Sequence, residues 1–287
     1  MKDPADLFRA PPHRFVDVEG AQVAVRSVGR GPDVLFVHGW PVSGATFRCL
    51  LPHLAEHVRC HVIDLAGAGD SRFDARSPLS IRHHIQSVRA VVDALGASSL
   101  AVVGHDSGGM IARHAMAGDR RLRALGLINT EQPQGLNWRF RLFLSGRVLP
   151  GFGAMLGWVA GRPKLRRNKF VLGDAFADRS LLDGEFDEFF LSPLHQDADK
   201  RAAAIRLLKS FRVADVEQLA ALHAGFDVPV QLVWGAQDPF FPVERAREMV
   251  ETFPQAQLHV VDDAGLFSHE ERPEAVANAL LPVLAGG

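Results

Sequence analysis

Short, strongly apolar runs that end in glycine-bearing loops alternate with helical patterns along this chain, and that alternation most restricts its fold. Val34–Val37, Cys60–Ile63, Leu100–Val103 and Leu122–Ile128 are runs of the kind a strand buried on both faces requires. Between them, residues 46–56 are amphipathic, Ile81–Leu95 carries Ile81, Ile85, Val88, Val91, Val92 and Leu95 at helical spacing, and a helical run extends to Met116. Strands alternating with helices at this pitch predict a mostly parallel α/β sheet flanked by helices. Ahead of it, Arg14–Val18 and Gln22–Val28 alternate apolar and polar residues about Glu19-Gly20, which predicts a hairpin. The alternation stops at Thr130. It resumes with Val230–Trp234, a helix over 243–253, Leu258–Val261 and a helix over 273–284. The predicted organisation is therefore a core domain from 1–129 and 227–287, interrupted by a helical insertion at 130–226.

Composition narrows the function classes. With 32 Lys and Arg against 33 Asp and Glu the net charge is -1, so there is no global attraction to nucleic acid or an anionic membrane. The basic run Arg162, Lys164, Arg166, Arg167 and Lys169 reads as a solvated face. The N-terminus, MKDPADLFRAPPHR, has no apolar core of a signal peptide, and the most apolar stretch, 142–160, is interrupted by Arg147, Pro150 and glycines. Cys49 and Cys60, the 2 cysteines, cannot build a disulfide framework. The expectation is a cytoplasmic protein, monomer or homodimer, acting on a small molecule without a membrane or nucleic-acid partner. His53, His57 and His61 divide between a helix end and a strand, which disfavours a metal site. Gly67-Ala68-Gly69 lacks the third glycine of a dinucleotide loop, and no cofactor is expected.

The chemistry is concentrated at Gly104-His105-Asp106-Ser107-Gly108, between the strand Leu100–Val103 and a helix. This is the G-x-nucleophile-x-G pattern with aspartate at its centre. Glycines two residues before and after let strand and helix pack closely about a strained turn, and the turn lifts the central side chain above the C-terminal edge of the sheet. A nucleophile at Ser107 would need glycine at 105, where His105 stands. The competing structural reading is an aspartate capping a glycine-rich helix start.

These residues, with three further landmarks in order, resemble the α/β-hydrolase superfamily and its aspartate-nucleophile branch of haloalkane dehalogenases, epoxide hydrolases and fluoroacetate dehalogenases. His38-Gly39-Trp40-Pro41 resembles the family's HGxP loop, Asp64 to Ser71 its D-x-x-G-x-G-x-S loop, and Trp234-Gly235-Ala236-Gln237-Asp238 its WGxxD motif. The resemblance implies an α/β-hydrolase fold with the insertion as a helical cap. It also implies a hydrolase working through a covalent aspartyl ester on a small apolar substrate. A carboxylate is ionised at neutral pH and can attack saturated carbon directly; water then hydrolyses the ester with the help of a base and oxyanion donors. By resemblance Asp106 is the nucleophile, the backbone N–H groups of Trp40 and Ser107 are the donors, and Asp238 orients the base. Glu131, after the Leu122–Ile128 strand, is the alternate acid.

The base itself departs from the pattern. Aligned on Gly265, Phe267 and Pro273, the family's histidine position holds Leu266, and His269 lies three residues later. Either the loop is rearranged and His269 is the base, or the base is missing and the protein is an impaired enzyme or a silent small-molecule binder. Leaving-group donors are equally open. The chain has 0 tyrosines, the residues with which related epoxide hydrolases protonate epoxide oxygen. His195 is a possible substitute, while the indoles of Trp40 and Trp138 are candidate halide donors. Ser107 stands where fluoroacetate dehalogenases carry an arginine, which disfavours an anionic substrate. Halide and epoxide substrates both remain open.

Overall fold

The computed structural model describes residues 3–286. One sheet of nine strands organises the chain: β1 (Arg14–Val18), β2 (Ala21–Gly29), β3 (Asp33–Val37), β4 (Arg59–Asp64), β5 (Arg72–Phe73), β6 (Leu100–His105), β7 (Leu122–Ile128), β8 (Val230–Gly235) and β9 (Ala256–Val261). The spatial order is β1-β2-β4-β3-β6-β7-β8-β9, with the short β5 against β2. The first hairpin and its junction with β4 are antiparallel, and every pairing from β4 to β9 is parallel. The parallel strands β3, β6 and β8 are buried along almost their whole length, which explains their unbroken apolar runs.

After β3 the chain crosses to β4 on one side and later returns to β6 on the other, so the order reverses between β3 and β6. Val37 pairs with Gly104, which brings the loops leaving these two strands together at the carboxyl edge. Open α/β sheets place their sites at such a reversal. The expected helix over 46–56 is instead a single 3-10 turn, Gly44–Phe47, and one α turn, Leu51–Leu54, because Pro52 sits at the helix start and cannot continue a preceding ladder.

Among the described residues, all regular structure between β7 and β8 is helical, including α-helices Trp138–Gly146, Phe152–Ala160 and Ala198–Ser210. This segment packs Phe140, Phe143, Leu172 and Phe211 over the carboxyl edge of the sheet. No helix among the described residues is long and apolar enough to cross a membrane.

The D-x-x-G-x-G-x-S loop after β4 is scaffolding. Asp64 Oδ1 accepts from Gly44 N at 2.8 Å, and Oδ2 accepts from Asp70 N at 3.0 Å and from Arg26 at 3.1 Å. Ser71 Oγ accepts from Ala24 N at 2.8 Å. His38 is scaffolding as well: it donates from Nδ1 to Gly39 O and accepts Leu65 N at Nε2, both at 2.8 Å. Burial lowers its pKa and keeps the ring neutral for that paired role.

Candidate active site

Asp106 occupies the turn between β6 and the helix Ser107–Met116 with φ 50° and ψ −137°, a conformation that costs a non-glycine residue about 1–3 kcal/mol. Close packing enforces the turn. A Cβ on Gly104 would lie 2.5 Å from Gly109 Cα, and one on Gly108 would overlap the carbonyl oxygens of Val37 and His38. One on Gly39 would overlap the Asp106 carboxylate itself. The carboxylate therefore has a fixed seat. Its Oδ2 accepts the backbone N–H of Trp40 at 2.7 Å, and the backbone N–H of Ser107 also supports the ionised form. The N-terminus of the ten-residue helix adds a favourable dipole.

Above Asp106 lies a cavity of about 80 Å³, walled by Phe140, Phe143, Phe211, Phe240, Leu266 and Phe267 among others. At about 10–15 Å³ per water-sized group, it suits a molecule of some half-dozen heavy atoms. Among the described residues its polar lining consists of Asp106, Ser107, Glu131 and the indole of Trp40.

Glu131 is 1% exposed and is among the residues lining this cavity, so the residue expected as an alternate orienting acid borders the same chamber as Asp106. The Thr130 hydroxyl lies 3.0 Å from its Oε2, and its Oε1 has no partner. Arg113, buried beneath, donates to the Glu131 carbonyl oxygen at 2.8 Å and to Thr130 Oγ1 at 2.9 Å. Burial, and then the nearby Glu131 carboxylate, push Asp106 well above the ordinary carboxylate range. Burial likewise raises Glu131 against the pull of the Arg113 guanidinium. Two carboxyl groups lining one apolar chamber titrate as a pair, in separate steps.

The other expected residues fare differently. His269 is not brought to the nucleophile. It is fully buried in the short helix Ser268–Glu271, and it does not line the cavity. Its Nε2 lies 2.8 Å from Thr46 Oγ1, whose proton goes to Glu270 Oε1 at 3.0 Å, so Nε2 is a donor engaged in the core. Burial and the neighbouring His105 hold its pKa well below the usual value. The expectation that the loop rearranges to present it as a base is corrected: Leu266 keeps the cavity position, and the helical turn carries His269 away.

Asp238 is buried, with Oδ1 accepting the N–H groups of Phe240 and Phe241 at 2.8 and 3.0 Å and Oδ2 accepting Asn129 Nδ2 at 2.8 Å. Burial pushes it up to about 7 although these three donors pull the other way. Among the described residues no histidine is hydrogen-bonded to it. The Trp40 indole is not free for a leaving group, because Nε1 donates to the Ala204 carbonyl at 3.0 Å. Trp138 is 71% exposed, and His195 is exposed and bonded to Gly157 O, so neither lines the chamber. Ser107 does line it, its Oγ 3.5 Å from Asp106 Oδ2.

Sequence reasoning missed Asn129, Thr130 and Arg113. The first two directly follow β7 at the carboxyl edge of the sheet, which is the signal that could have found them. Arg113 lies inside a helix otherwise rich in small and apolar residues, a position that a charge occupies only when it is paired.

The comparisons agree with this architecture. A methyl ester esterase of pimeloyl-[acyl-carrier protein] from Xanthomonas campestris pv. campestris is 36% identical over 255 residues, covering 88% of this chain and 95% of that protein. The haloalkane dehalogenase DbeA from Bradyrhizobium elkani superposes with a TM-score of 0.80 at 23% identity, covering 95% of this chain and 97% of that one. The epoxide hydrolase CorEH superposes with a TM-score of 0.78 at 21% identity, covering 95% and 98%. At those identities the two structures speak to the fold alone. The sequence model of the family described as alpha/beta hydrolase fold matches residues 32–273, and the chain belongs to that family.

Proposed function

We propose that this chain is a hydrolase that works through a covalent ester on Asp106 and acts on a small apolar electrophile, an alkyl halide or an epoxide. The observation that carries the reading is the Asp106 carboxylate held at a strained turn, under an apolar chamber, with the Trp40 backbone N–H on its Oδ2 and the Ser107 N–H favouring its charge. A carboxylate attacking saturated carbon gives an ester, and the Trp40 and Ser107 N–H groups then face the oxygen on which charge develops when water attacks. The same carboxylate attacking an ester carbonyl would form a mixed anhydride, a less stable product than the ester consumed. For that reason the methyl ester named for the Xanthomonas relative is not carried over. Phenylalanine walls, with no cationic side chain among the described residues that line the cavity, favour a neutral substrate.

The test is a single turnover with n-butyl bromide or butylene oxide in water enriched in heavy oxygen, followed by mass spectrometry of the peptide containing Asp106. Bromide or diol release with the isotope in the Asp106 carboxyl group, both abolished in Asp106→Asn, is the expected result. A second reading, a silent binding protein, is favoured by Leu266 in the base's place. Reversible binding of both probes with no adduct and no isotope incorporation would establish that reading and discard the first.

A further inference from the structure

The Asp106 reading leaves two chemical needs unmet. An opening epoxide requires a proton for its oxygen, and the aspartyl ester requires a base to activate water. Among the described residues, no tyrosine or histidine side chain lines the chamber. One carboxyl group there, besides the nucleophile, can both give and take a proton. Glu131 is almost wholly buried, lines the same cavity as Asp106, and has one carboxyl oxygen without any partner.

Resting on the aspartyl-ester reading, we infer that Glu131 is the acid and base of this site and that the substrate is a small epoxide. The steps balance. Asp106 attacks an epoxide carbon, the C–O bond breaks, and the departing oxygen takes the proton of Glu131; the products are a hydroxyalkyl ester and a Glu131 carboxylate. Water then attacks the ester carbonyl while Glu131 removes its proton. The tetrahedral oxyanion, supported by the Trp40 and Ser107 N–H groups, collapses to diol and the Asp106 carboxylate. Glu131 is protonated again, and the sum is epoxide plus water to diol.

The surroundings suit both halves. Attack uses the form in which Glu131 holds the proton: the Trp40 and Ser107 N–H groups and a helix N-terminus support the charge on Asp106 in that form, against burial and the charges of Glu131 and Asp238, which push its pKa up. Two like charges lining one apolar cavity disfavour the doubly ionised form. Once Asp106 is esterified its charge is gone, and the carboxylate left on Glu131 has the Arg113 guanidinium beside it. The proton therefore has reason to leave Glu131 at the step that needs it and to return at the next. Halide release is less well served: the indole that could cradle a halide is spent on Ala204, and a second carboxyl group contributes nothing to holding an anion.

The experiment compares butylene oxide with n-butyl bromide, whose bromide leaves without a proton, in wild type, Glu131→Gln and Glu131→Ala. Glutamine keeps the size and the Thr130 contact. In Glu131→Gln, diol formation is expected to fall by about 10²–10⁴-fold, the range of a lost acid–base group. Butyl bromide is still expected to alkylate Asp106 in this variant, and the butyl ester to persist in intact-mass spectra. Formate is expected to restore part of the diol formation in Glu131→Ala. Wild-type turnover of the oxide in Glu131→Gln overturns the assignment, and so does equal loss of alkylation by both probes, which marks a structural role. Wild-type bromide release without diol overturns the substrate class. Each of these outcomes is compatible with heavy oxygen entering Asp106, whereas its absence from wild-type Asp106 overturns the aspartyl-ester reading itself.

Discussion

Leu266→His restores an imidazole to the cavity wall, and its outcome depends on how the unused half of the site is built. Asp238 has spent both lone pairs of Oδ1 on Phe240 and Phe241 but only one of Oδ2, on Asn129, so it can accept one more N–H. A histidine at 266 that donates there would turn its other nitrogen toward the ester. Burying imidazole in place of a 7% exposed leucine forfeits about 1.5–3 kcal/mol of apolar transfer. The new hydrogen bond returns about 1 kcal/mol. The net loss is small beside a typical stability of about 5–15 kcal/mol, and the fold survives with Tm lower by roughly a few degrees. The gain is kinetic. In Glu131→Gln, where the butyl ester on Asp106 persists, the added base should shorten its lifetime by about 10²–10⁴-fold, or about 3–5 kcal/mol of barrier. Quenched-flow intact-mass spectrometry reads the decay directly. A folded double variant whose ester decays as slowly as that of Glu131→Gln alone would refute the reasoning, because position 266 would then not aim at the ester carbonyl.

Other consequences can be measured separately. Attack requires ionised Asp106, so alkylation by either probe should be lost as pH falls through the lower titration of the Asp106–Glu131 pair, which Arg113 and Asp238 also face. Diol formation alone should be lost again as pH rises through the upper one, giving a bell for the oxide and a plateau for the bromide. His269→Ala should lower stability by about 2–4 kcal/mol in denaturant unfolding, since it empties a buried site and strands Thr46, yet leave the ester's decay unchanged. His84 and His105 are buried with pKa values of about 3, against 6.5 for the unfolded side chain. The unfolded chain thus binds protons that the fold refuses, and stability should drop as pH falls from 6.5 toward 3, by about 1.4 kcal/mol per pH unit for each ring. Urea midpoints across that window check the slope. Trp40→Phe should remove about 0.5–1.5 kcal/mol from the Ala204 contact and speed ligand exchange, while the backbone N–H on Asp106 keeps the alkylation step intact.

What could be read in advance follows physical range. The strands and the turn at Asp106 were legible because apolar runs and flanking glycines are local demands: a side chain at 104 or 108 collides with backbone a few atoms away. The 46–56 segment was misjudged because periodicity ignores the Pro52 break and the inward turn of Thr46 toward His269, 223 positions along the chain. Asp238 and Leu266 were legible as motif positions, whereas the diversion of His269 into the core required the helical turn that begins at Ser268. The Trp40 indole was expected to meet a leaving group. Its partnership with a carbonyl 164 residues away lies beyond any local pattern. Glu131 was visible as a carboxylate after β7, but its place in the cavity lining and the burial that leaves one of its oxygens without a partner emerge only in the folded chain.

Trp40 joins the nucleophile to the helical segment above it. Its main chain touches the nucleophile, and its ring is tethered to the helix Ala198–Ser210 in the roof. Lifting that roof to admit a guest must therefore tug on the amide that steadies the Asp106 carboxylate. Any displacement of that helix is thereby coupled, through one residue, to the cradle of the acid.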